Sequence, residues 1–517
     1  MAVSARQLWC AAFVAAAVLY VATASRDVQW QDGGWQQYRI VMGQIENEAG
    51  LALVHPVQHY LGRLAVWALP LKPQFAITLV SALAGAVAIA NIAAALMVLS
   101  RRLGPSVVGA AALMLSHTLW QHSTHTESYA IVAAALTGEI LCLSCYGMTR
   151  NGRYLIGLAF LNGLGIANHL LASIVTPVDV VLVLLAIRNR SLSRRGGALA
   201  AAAWLLGTTP YSVLVLTTLA QTQDVVGTLQ SALFGRYASA VLNVSIRIRT
   251  LVLSTGYVVY NFPGLALPLA VYGLVARLHA PTVVRRALTC ELILYAMFVS
   301  RYAIVDQYTF FFPVYVLLAV FAGLGLARLL DRLPRRKQAL ALALAGITVA
   351  WTPLVYMTAC SVLRSRGAIA SLVGNKPYRD GYRAFLIPWG AGERYGTRLN
   401  DAAREAAGAD GLILVADGMI YFGVRFAQAV GELPETVSVI QVPQTASAQD
   451  MATWHALLAR CLDEGRPIVL IPRDRDDPQT CLKGAEWLRR GDLYVLAGLE
   501  PVETPTSEPM APVSGPT

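Results

Sequence analysis

The sequence predicts an α-helical polytopic membrane protein that ends in a smaller α/β domain. Of its 517 residues, 56% are hydrophobic and 14% are charged, which is too apolar for an ordinary soluble enzyme. Apolar runs of about 17–25 residues, the length that crosses a bilayer, recur from Leu8 to about Cys360. Beyond that point Asp, Glu, Pro and Gly are interspersed, so we expect a membrane domain at 1–360 and an α/β domain at 361–500.

Eleven transmembrane helices are predicted between the polar loops. They cover residues 8–24, 74–100, 104–121, 127–148, 154–169, 171–187, 198–219, 250–276, 287–302, 309–329 and 338–360. The first is expected to be a retained helix, because it lacks a convincing cleavage site and further spans follow it.

The net charge of +11 is distributed as in a membrane protein, and no nucleic-acid partner is expected. Basic residues cluster in short loops, such as Arg101–Arg102 and RNRSLSRR at 188–195. Short loops rich in Arg and Lys stay in the cytoplasm. The N-terminus is therefore predicted to be cytoplasmic and the C-terminal domain exterior. Usage rich in Ala, Arg and Leu favours a bacterial inner membrane, which would make the exterior a periplasm.

The first exterior segment, residues 25–73, is long enough to carry function. It contains WQDGGW at 30–35, in which Gly33 and Gly34 permit tight turns and close approach of a substrate. Asp32 is the best candidate for a catalytic carboxylate. The alternative is that Asp32 caps the N-terminus of an amphipathic helix predicted from Gln36 to Ile45.

Further polar residues collect on the same predicted side of the membrane. They include His55, Glu127, Asn168, His169, Arg236, Arg301 and Asp306. Polar groups near the hydrocarbon are costly unless they are paired or face a hydrated cavity. The set predicts a polar site open to the exterior leaflet, although each member alone could be a solvated loop residue.

Five stretches carry a family resemblance. They are DGGW at 32–35 with HP at 55–56, Trp120 with TESYA at 126–130, GLGIANHL at 163–170, GTTPY at 207–211, and YAIVDQYTFFFPVYVLLAVFAGLGL at 302–326. In this order they resemble a bacterial family of GT-C superfamily glycosyltransferases, formerly a domain of unknown function and related to the animal transmembrane protein O-mannosyltransferase. Trp35 departs from the family pattern, which has Glu there, and HPVQHYL lacks the family's second Pro and its Gly.

The resemblance implies a GT-C-like fold and an inverting sugar transfer. The donor would be a sugar, with mannose as one candidate, on a polyprenyl phosphate or diphosphate in the membrane lipid. The acceptor would be an exterior protein, glycan or lipid. Such a displacement needs a general base and cations that stabilise the leaving phosphate. The resemblance places the base at Asp32. Arg236 and Arg301 are the first candidates for the phosphate, followed by Arg39 and Arg63.

The remaining substrate-binding candidates come from the same motifs. They are Trp35, His55, Glu127, Tyr129, Asn168, His169 and Asp306. No cofactor is predicted, although a divalent cation stays open. No metal ligands are assigned, because neither His122, His125 and Glu127 nor His55 and His59 have the spacing of an established zinc motif.

Two alternatives to the enzyme stay open at this point. One is a polytopic transporter or flippase of a lipid-linked or small substrate, although we find no clear internal repeat and the polar residues noted above collect on one face. The other is a non-catalytic GT-C relative, which the Trp35 departure keeps credible.

The C-terminal residues predict a small parallel α/β domain. Helices are predicted at 397–408, 419–431, 449–464 and 479–490, and strands at GLILVADG, TVSVIQV, RPIVLIP and LYVLAG. The domain has neither a GxGxxG motif nor a P-loop, so a nucleotide site has no support. Cys461 and Cys481 are predicted to form a disulfide in an oxidising exterior compartment, and 501–517 to be a disordered tail.

Overall fold

The computed structural model of the chain describes residues 3–46, 48–302, 304, 306–442, 448–477 and 484–499. The chain divides into two compact units, residues 1–373 with 382–393, and residues 374–381 with 394–517. The predicted tail at 501–517 lies outside the described residues. So does Cys481, and the disulfide with Cys461 therefore stays a prediction.

The larger unit consists of helices. Its first half contains α1 (Ala5–Thr23), α2 (Gln31–Met42), α3 (Pro56–Ala68), α4 (Pro73–Ser100), α5 (Leu103–Met114), α6 (His117–Thr124), α7 (Tyr129–Thr149), α8 (Arg153–Asn168) and α9 (Thr176–Arg188). Short 3₁₀ helices cover Leu51–Leu53 and Leu170–Val175. The second of these leads directly into α9, so Leu170–Arg188 is one continuous helical segment.

The second half of this unit has the same character. It contains α10 (Arg194–Thr222), α11 (Val225–Leu233), α12 (Ala238–Val241), α13 (Ile248–Asn261), α14 (Ala266–Val275), α15 (Thr282–Arg301), α16 (Gln307–Phe310), α17 (Phe312–Arg332), α18 (Arg335–Ala350), α19 (Thr352–Ser365), α20 (Ala370–Val373) and α21 (Gly381–Leu386). A 3₁₀ helix covers Gly235–Tyr237.

Six described helical segments are long and apolar enough to cross a membrane, which supports an integral membrane protein. They are α1, α4, α7, Leu170–Arg188, α10 and α17. Three bent pairs, α5 with α6, α13 with α14, and α18 with α19, raise the number in the described residues to as many as nine.

The predicted number of eleven spans is not confirmed. The 16 residues of α8 extend only about 24 Å at 1.5 Å per residue, which is less than a hydrocarbon core of about 30 Å. Helix α15, predicted as a span at 287–302, carries Arg285, Arg286, Glu291 and Arg301 along its length.

The helices pack closely around α4 and α17, whose side chains are mostly buried. Helix α4 packs against α1 and α7, and α8 packs against α10. A Cβ atom on Gly163 would lie 2.3 Å from the carbonyl oxygen of Trp204, and one on Gly207 would lie 2.4 Å from that of Phe160. The glycines of GLGIANHL and GTTPY therefore let the backbones of α8 and α10 touch.

The smaller unit contains a mixed sheet with helices. Its elements are α22 (Tyr395–Ala407), β1 (Leu412–Val415), α23 (Gly418–Ala429), β2 (Ser438–Gln441), α24 (Ala448–Asp463), β3 (Ile468–Ile471), β4 (Ala485–Arg490) and β5 (Leu493–Leu499). The strand order is β2-β1-β3-β5-β4. Leu412 pairs in parallel with Ser438 and with Ile468, whereas Val469 pairs antiparallel with Val495.

Two predictions for this unit are wrong. The sheet is mixed and not purely parallel, because β5 and β4 run antiparallel to their neighbours. The helix predicted at 479–490 is a strand where it is described, Ala485–Arg490. Gly491, with a φ of 65°, lies between β4 and β5 and turns the chain into a hairpin.

Asp417, at the carboxyl end of β1, has a structural role. Its side chain accepts a hydrogen bond of 3.0 Å from the backbone N–H of Met419 and so caps α23. Its other carboxylate oxygen pairs with the ammonium group of Lys376.

Candidate active site

Asp32 lies in the first turn of α2, where the predicted first exterior segment begins to fold. The helix begins at Gln31 with Trp30 at its N-cap, and no side chain caps it. The alternative that Asp32 is a helix cap is therefore wrong. The side chain of Asp32 is accessible to solvent, yet protein atoms surround it on most sides. This combination is typical of a carboxyl group inside an open cleft.

Gly33 allows α2 to begin tightly against the segment that precedes α7. A Cβ atom at this position would lie 2.5 Å from the side-chain oxygen of Gln29 and 3.2 Å from the backbone oxygen of Thr126. The glycine beside Asp32 is thus needed for close packing of two segments that are far apart in the sequence.

A buried network of amides and hydroxyls fixes this contact. The side-chain oxygen of Gln29 accepts a hydrogen bond of 2.9 Å from the backbone N–H of Thr126, and its amide donates to Thr78 over 3.2 Å. Gln37 accepts from the backbone N–H of Gln29 over 3.0 Å and donates to the Thr126 hydroxyl over 3.2 Å. Because all these groups are buried and bonded, they hold α2 in one register against α4 and the start of α7.

Glu127 follows this network directly. The Ser81 hydroxyl on α4 donates to the backbone carbonyl of Glu127 over 3.0 Å and accepts from its backbone N–H over 3.1 Å. The backbone of Glu127 is therefore fixed, and its carboxyl group lies close enough to Asp32 and Asp306 to interact with both.

Asp32, Glu127 and Asp306 form a group of three carboxyls with raised pKa values. Burial and the neighbouring Asp306 raise the pKa of Asp32 to about 6, whereas Arg236 acts in the opposite direction. Burial, followed by Asp32 and Asp306, raises the pKa of Glu127 well above its usual range. Burial also raises the pKa of Asp306, against a backbone hydrogen bond that lowers it. Such a set allows ionised and protonated carboxyls to coexist near neutral pH.

Aromatic rings form a wall beside these carboxyls. The ring of Tyr129 lies 5.1 Å from that of His169 and 5.6 Å from that of Phe310, measured between centroids. His55 stacks on His169 at 5.2 Å, and Tyr302 meets Phe310 edge-on at 4.7 Å. The predicted residues Tyr129, His55 and His169 are therefore brought together.

Asn168 joins the segments that carry these rings. Its side chain accepts a hydrogen bond of 2.9 Å from the backbone N–H of Gln58 and donates one of 2.9 Å to the backbone carbonyl of Ser128. Its own carbonyl lies 2.7 Å from Nδ1 of His55. The end of α8 therefore positions both α3 and the start of α7.

Two arginines lie near this group. Arg236 is exposed and acts electrostatically on Asp32. Arg39 is buried, and its Nε and Nη2 atoms have no hydrogen-bond partner in the described residues. Burial lowers the pKa values of His55 and His59, and the charge of Arg39 lowers them further, which places this charge near both histidines. Unsatisfied guanidinium N–H groups are suited to an anion.

Arg301 and Trp35 have other contacts. The guanidinium of Arg301 donates to the backbone carbonyls of Val241 and Asn243, which uses its donors within the protein. The ring of Trp35 lies under the guanidinium of Arg39 at 5.1 Å, a cation–π contact. Trp35 therefore supports a buried arginine.

The sequence analysis did not identify the hydrogen-bond network that fixes α2, and it named Arg39 after Arg236 and Arg301. Gln29 and Gln37 stand on either side of Asp32 in VQWQDGGWQQY. Several glutamines at the edge of an apolar span could have indicated a buried hydrogen-bond network. The burial of Arg39 had no such signal.

In the described part of the chain, no group of three His, Cys, Asp or Glu side chains is placed to hold a metal ion. The three carboxyls Asp32, Glu127 and Asp306 interact, yet they do not meet that condition.

One family model matches part of the sequence. Residues 48–193 match the family model of the Protein O-mannosyl-transferase TMEM260 N-terminal domain. The predicted resemblance to this family is thereby confirmed. The matched range contains His55, Glu127, Tyr129 and the pair Asn168–His169, and Asp32 precedes it. No curated protein matches the sequence.

The fold is similar to that of ArnT from Cupriavidus metallidurans. The structure of ArnT bound to undecaprenyl phosphate is 14% identical with a TM-score of 0.59, and the match covers 94% of this chain and 97% of that chain. The apo structure of ArnT is 15% identical with a TM-score of 0.59, covering 95% and 98%. The S. cerevisiae protein O-mannosyltransferase Pmt1–Pmt2 complex bound to the sugar donor is 14% identical with a TM-score of 0.33, covering 47% and 35%. The near-complete match shows that this chain shares the fold of ArnT.

Proposed function

We propose that this protein is an integral-membrane glycosyltransferase. It transfers a sugar from a polyprenyl-phosphate-linked donor to an acceptor on the exterior side of the membrane, with inversion. The observation that carries the proposal is Asp32, a solvent-accessible carboxyl with a pKa near 6 that lies within reach of Arg236 and of two further carboxyls. The family match and the undecaprenyl phosphate bound by ArnT support a lipid-linked donor.

Asp32 is the general base in this proposal. It accepts the proton of the acceptor hydroxyl while that oxygen bonds to the anomeric carbon of the donor. The bond from that carbon to the phosphate oxygen breaks, and its electron pair leaves with the phosphate. A pKa of about 6 keeps Asp32 ionised at neutral pH and makes it a stronger base than an ordinary aspartate.

Arg39 and Arg236 receive the negative charge of the leaving phosphate. The free N–H groups of Arg39 are already removed from water, so hydrogen bonds to a phosphate oxygen would cost little further desolvation. Burial lowers the pKa of Arg39 only to about 10, which leaves the guanidinium charged at neutral pH. Arg236 is exposed and can meet a phosphate that approaches along the surface.

The aromatic wall binds the sugar. The faces of Tyr129, His169 and Phe310 offer apolar surface for the C–H groups of a sugar ring, and the tyrosine hydroxyl and imidazole nitrogens offer hydrogen bonds. Glu127, whose pKa is raised well above its usual range, is the carboxyl best suited to donate a hydrogen bond from its neutral form. Mannose is the first sugar to test, because of the family match.

Transfer of radiolabelled sugar from a panel of polyprenyl-phosphate sugars, measured in membranes, tests this function. The wild type is compared with Asp32→Asn, which keeps the shape of the side chain and removes the base. Asp401→Asn, at an exposed carboxylate on α22 of the smaller unit, is the matched control. We expect transfer by the wild type and the control and a loss of at least about 100-fold in Asp32→Asn.

Two results would change the proposal. Undiminished transfer by Asp32→Asn would move the base to Glu127 or Asp306. Absence of transfer from every donor by a well-expressed wild type would favour a transporter or a non-catalytic relative.

A further inference from the structure

Three acidic side chains lie inside the helical unit and outside the candidate active site. Glu139 on α7, Asp179 on α9 and Glu291 on α15 are 4%, 6% and 5% exposed. They interact with one another, although they come from three different helices. We call Glu139, Asp179 and Glu291 the buried acid cluster.

The cluster lies deep within the bundle. Glu139 stands ten residues after Tyr129, Asp179 ten residues after His169, and Glu291 ten residues before Arg301. At 1.5 Å per helical residue, ten residues correspond to about 15 Å, or half of a hydrocarbon core. Glu139 and Asp179 therefore stand at the middle of the candidate spans Tyr129–Thr149 and Leu170–Arg188, and Glu291 stands near the middle of α15.

Polar neighbours orient the cluster without neutralising it. The amide of Asn162 donates to Oε2 of Glu139 over 3.3 Å, and its oxygen accepts from the Thr176 hydroxyl over 2.8 Å and from the Trp204 indole over 3.1 Å. Oε1 of Glu139 and Oδ2 of Asp179 accept no hydrogen bond from any described donor. The other titratable groups that interact with Glu139 are Cys142 and Tyr295. In the described residues no cluster member forms an ion pair with Lys, Arg or His.

The relation between Glu139 and Asp179 indicates what the cluster binds. Their side chains are within hydrogen-bonding reach of each other. An ionised carboxylate can only accept hydrogen bonds, so a bond between two carboxyl groups requires a proton on one of them. Leaving several ionised carboxylates together without a counter-ion in this interior would be strongly unfavourable, because each loses its hydration and repels the others. Protons need no additional space between the carboxyl groups. A metal ion does, and among the described residues no group of three His, Cys, Asp or Glu side chains is placed to hold one.

We propose that Glu139, Asp179 and Glu291 form a proton-binding site within the membrane, and that the bound protons hold α7, α9 and α15 together. Each helix carries a candidate site residue toward one shared end: Tyr129 begins α7, His169 precedes the segment leading into α9, and Asp306 follows α15. Loss of the protons would place like charges between the helices and loosen that end. This inference is independent of the catalytic proposal.

Carbodiimide labelling tests the bound protons. Dicyclohexylcarbodiimide enters apolar regions and takes up the carboxyl proton, and the carboxylate oxygen adds to its central carbon, leaving a stable N-acylurea after rearrangement. The full chain in lipid nanodiscs is treated at several pH values, and the adducts are located by peptide mass spectrometry. We expect labelling of Glu139 or Asp179 at neutral pH that declines as the pH rises. Labelling blocked by NaCl and not by choline chloride would overturn the proposal in favour of a metal cation.

Thermal unfolding against pH tests the role of the protons in holding the helices. In the unfolded chain these carboxyl groups lose their protons above about pH 4, whereas in the folded chain they keep them. The free energy of unfolding should therefore fall as the pH rises. Glu139→Gln/Asp179→Asn has fewer carboxyls to titrate, and we expect a visibly flatter dependence. Glu291→Gln, made separately, should flatten it in the same direction if the double variant does not fold. Asp401→Asn/Glu405→Gln replaces two exposed carboxylates of α22. This variant should retain the wild-type dependence of stability on pH. Equal slopes in the wild type and the foldable cluster variants would overturn the proposal, whatever the labelling.

Discussion

Nδ1 of His55 lies 2.7 Å from the backbone carbonyl oxygen of Asn168, so this nitrogen carries the proton and donates. The contact joins the start of α3 to the end of α8 and leaves Nε2 of His55 as an acceptor. Burial, together with the charge of Arg39, lowers the pKa of His55 to about 4. The imidazole is therefore neutral at physiological pH and serves to position its neighbours.

Substitution of His55 should separate backbone strain from hydrogen bonding. The residue has φ 53° and ψ 60°, a left-handed conformation that Asn tolerates well and Ala does not. We expect His55→Ala to lower the free energy of unfolding by about 1–3 kcal/mol, from lost hydrogen bonding and strain. His55→Asn should lose less than half of that. Thermal unfolding in detergent measures both, and equal losses would contradict a role for the backbone conformation.

The pH dependence of sugar transfer should report Asp32. A base must be ionised, so the rate should fall about tenfold per pH unit as the pH drops below the Asp32 pKa of about 6. We call this fall in rate the acidic limb of the pH–rate profile. His55 and His59 cannot produce it, because their pKa values are lowered to about 4. The measurement is the donor-saturated rate between about pH 4.5 and 8.

Two variants shift this limb in opposite directions. Arg236 lowers the pKa of Asp32, so Arg236→Met should move the limb to higher pH. Asp306 raises it, so Asp306→Asn should move the limb to lower pH. A limb that stays in place in both variants would show that another group titrates.

Arg39 and Arg301 should differ when each is replaced by Met. Arg39 has no described partner at two of its nitrogen atoms, so Arg39→Met should preserve thermal stability and raise the KM for the donor about tenfold or more. Arg301 binds two backbone carbonyls, so Arg301→Met should lower the unfolding free energy by about 2 kcal/mol or more. The matched pair distinguishes phosphate binding from support of the fold. A stable Arg301→Met with a raised KM would reverse the two roles.

Gly33→Ala should disturb the packing that holds Asp32. Its Cβ would lie 2.5 Å from the side-chain oxygen of Gln29, so we expect a loss of about 1–3 kcal/mol and a decrease in transfer. Gly256→Ala, on α13, is the control because a Cβ atom there would have no neighbour within 4 Å among the described residues. In that helix Ala should increase stability by up to about 1 kcal/mol. Similar stability of the two variants would show that the contact at Gly33 relaxes freely.

Residues in the smaller unit show where sequence patterns are ambiguous. The segment Ala485–Arg490 reads AEWLRR, a composition that favours a helix, yet it forms the edge strand β4. Its pairing with β5 across the turn at Gly491 outweighs the local preference. Edge strands need only one apolar face, so their side chains give a weak strand signal.

The sequence by itself determined the apolar segments and the order of the motifs, because these depend on composition and spacing along the chain. The prediction that Asp32 is the base came from the family resemblance. Only the tertiary structure decided that Arg39 is buried with two nitrogen atoms that lack a described partner, that Arg301 donates to backbone carbonyls, and that Gln29 and Gln37 fix the helix carrying Asp32. The reason is that hydrogen-bond partners and removal from water come from residues distant in sequence. Local sequence fixes which side chains are present, and packing fixes what each of them contacts.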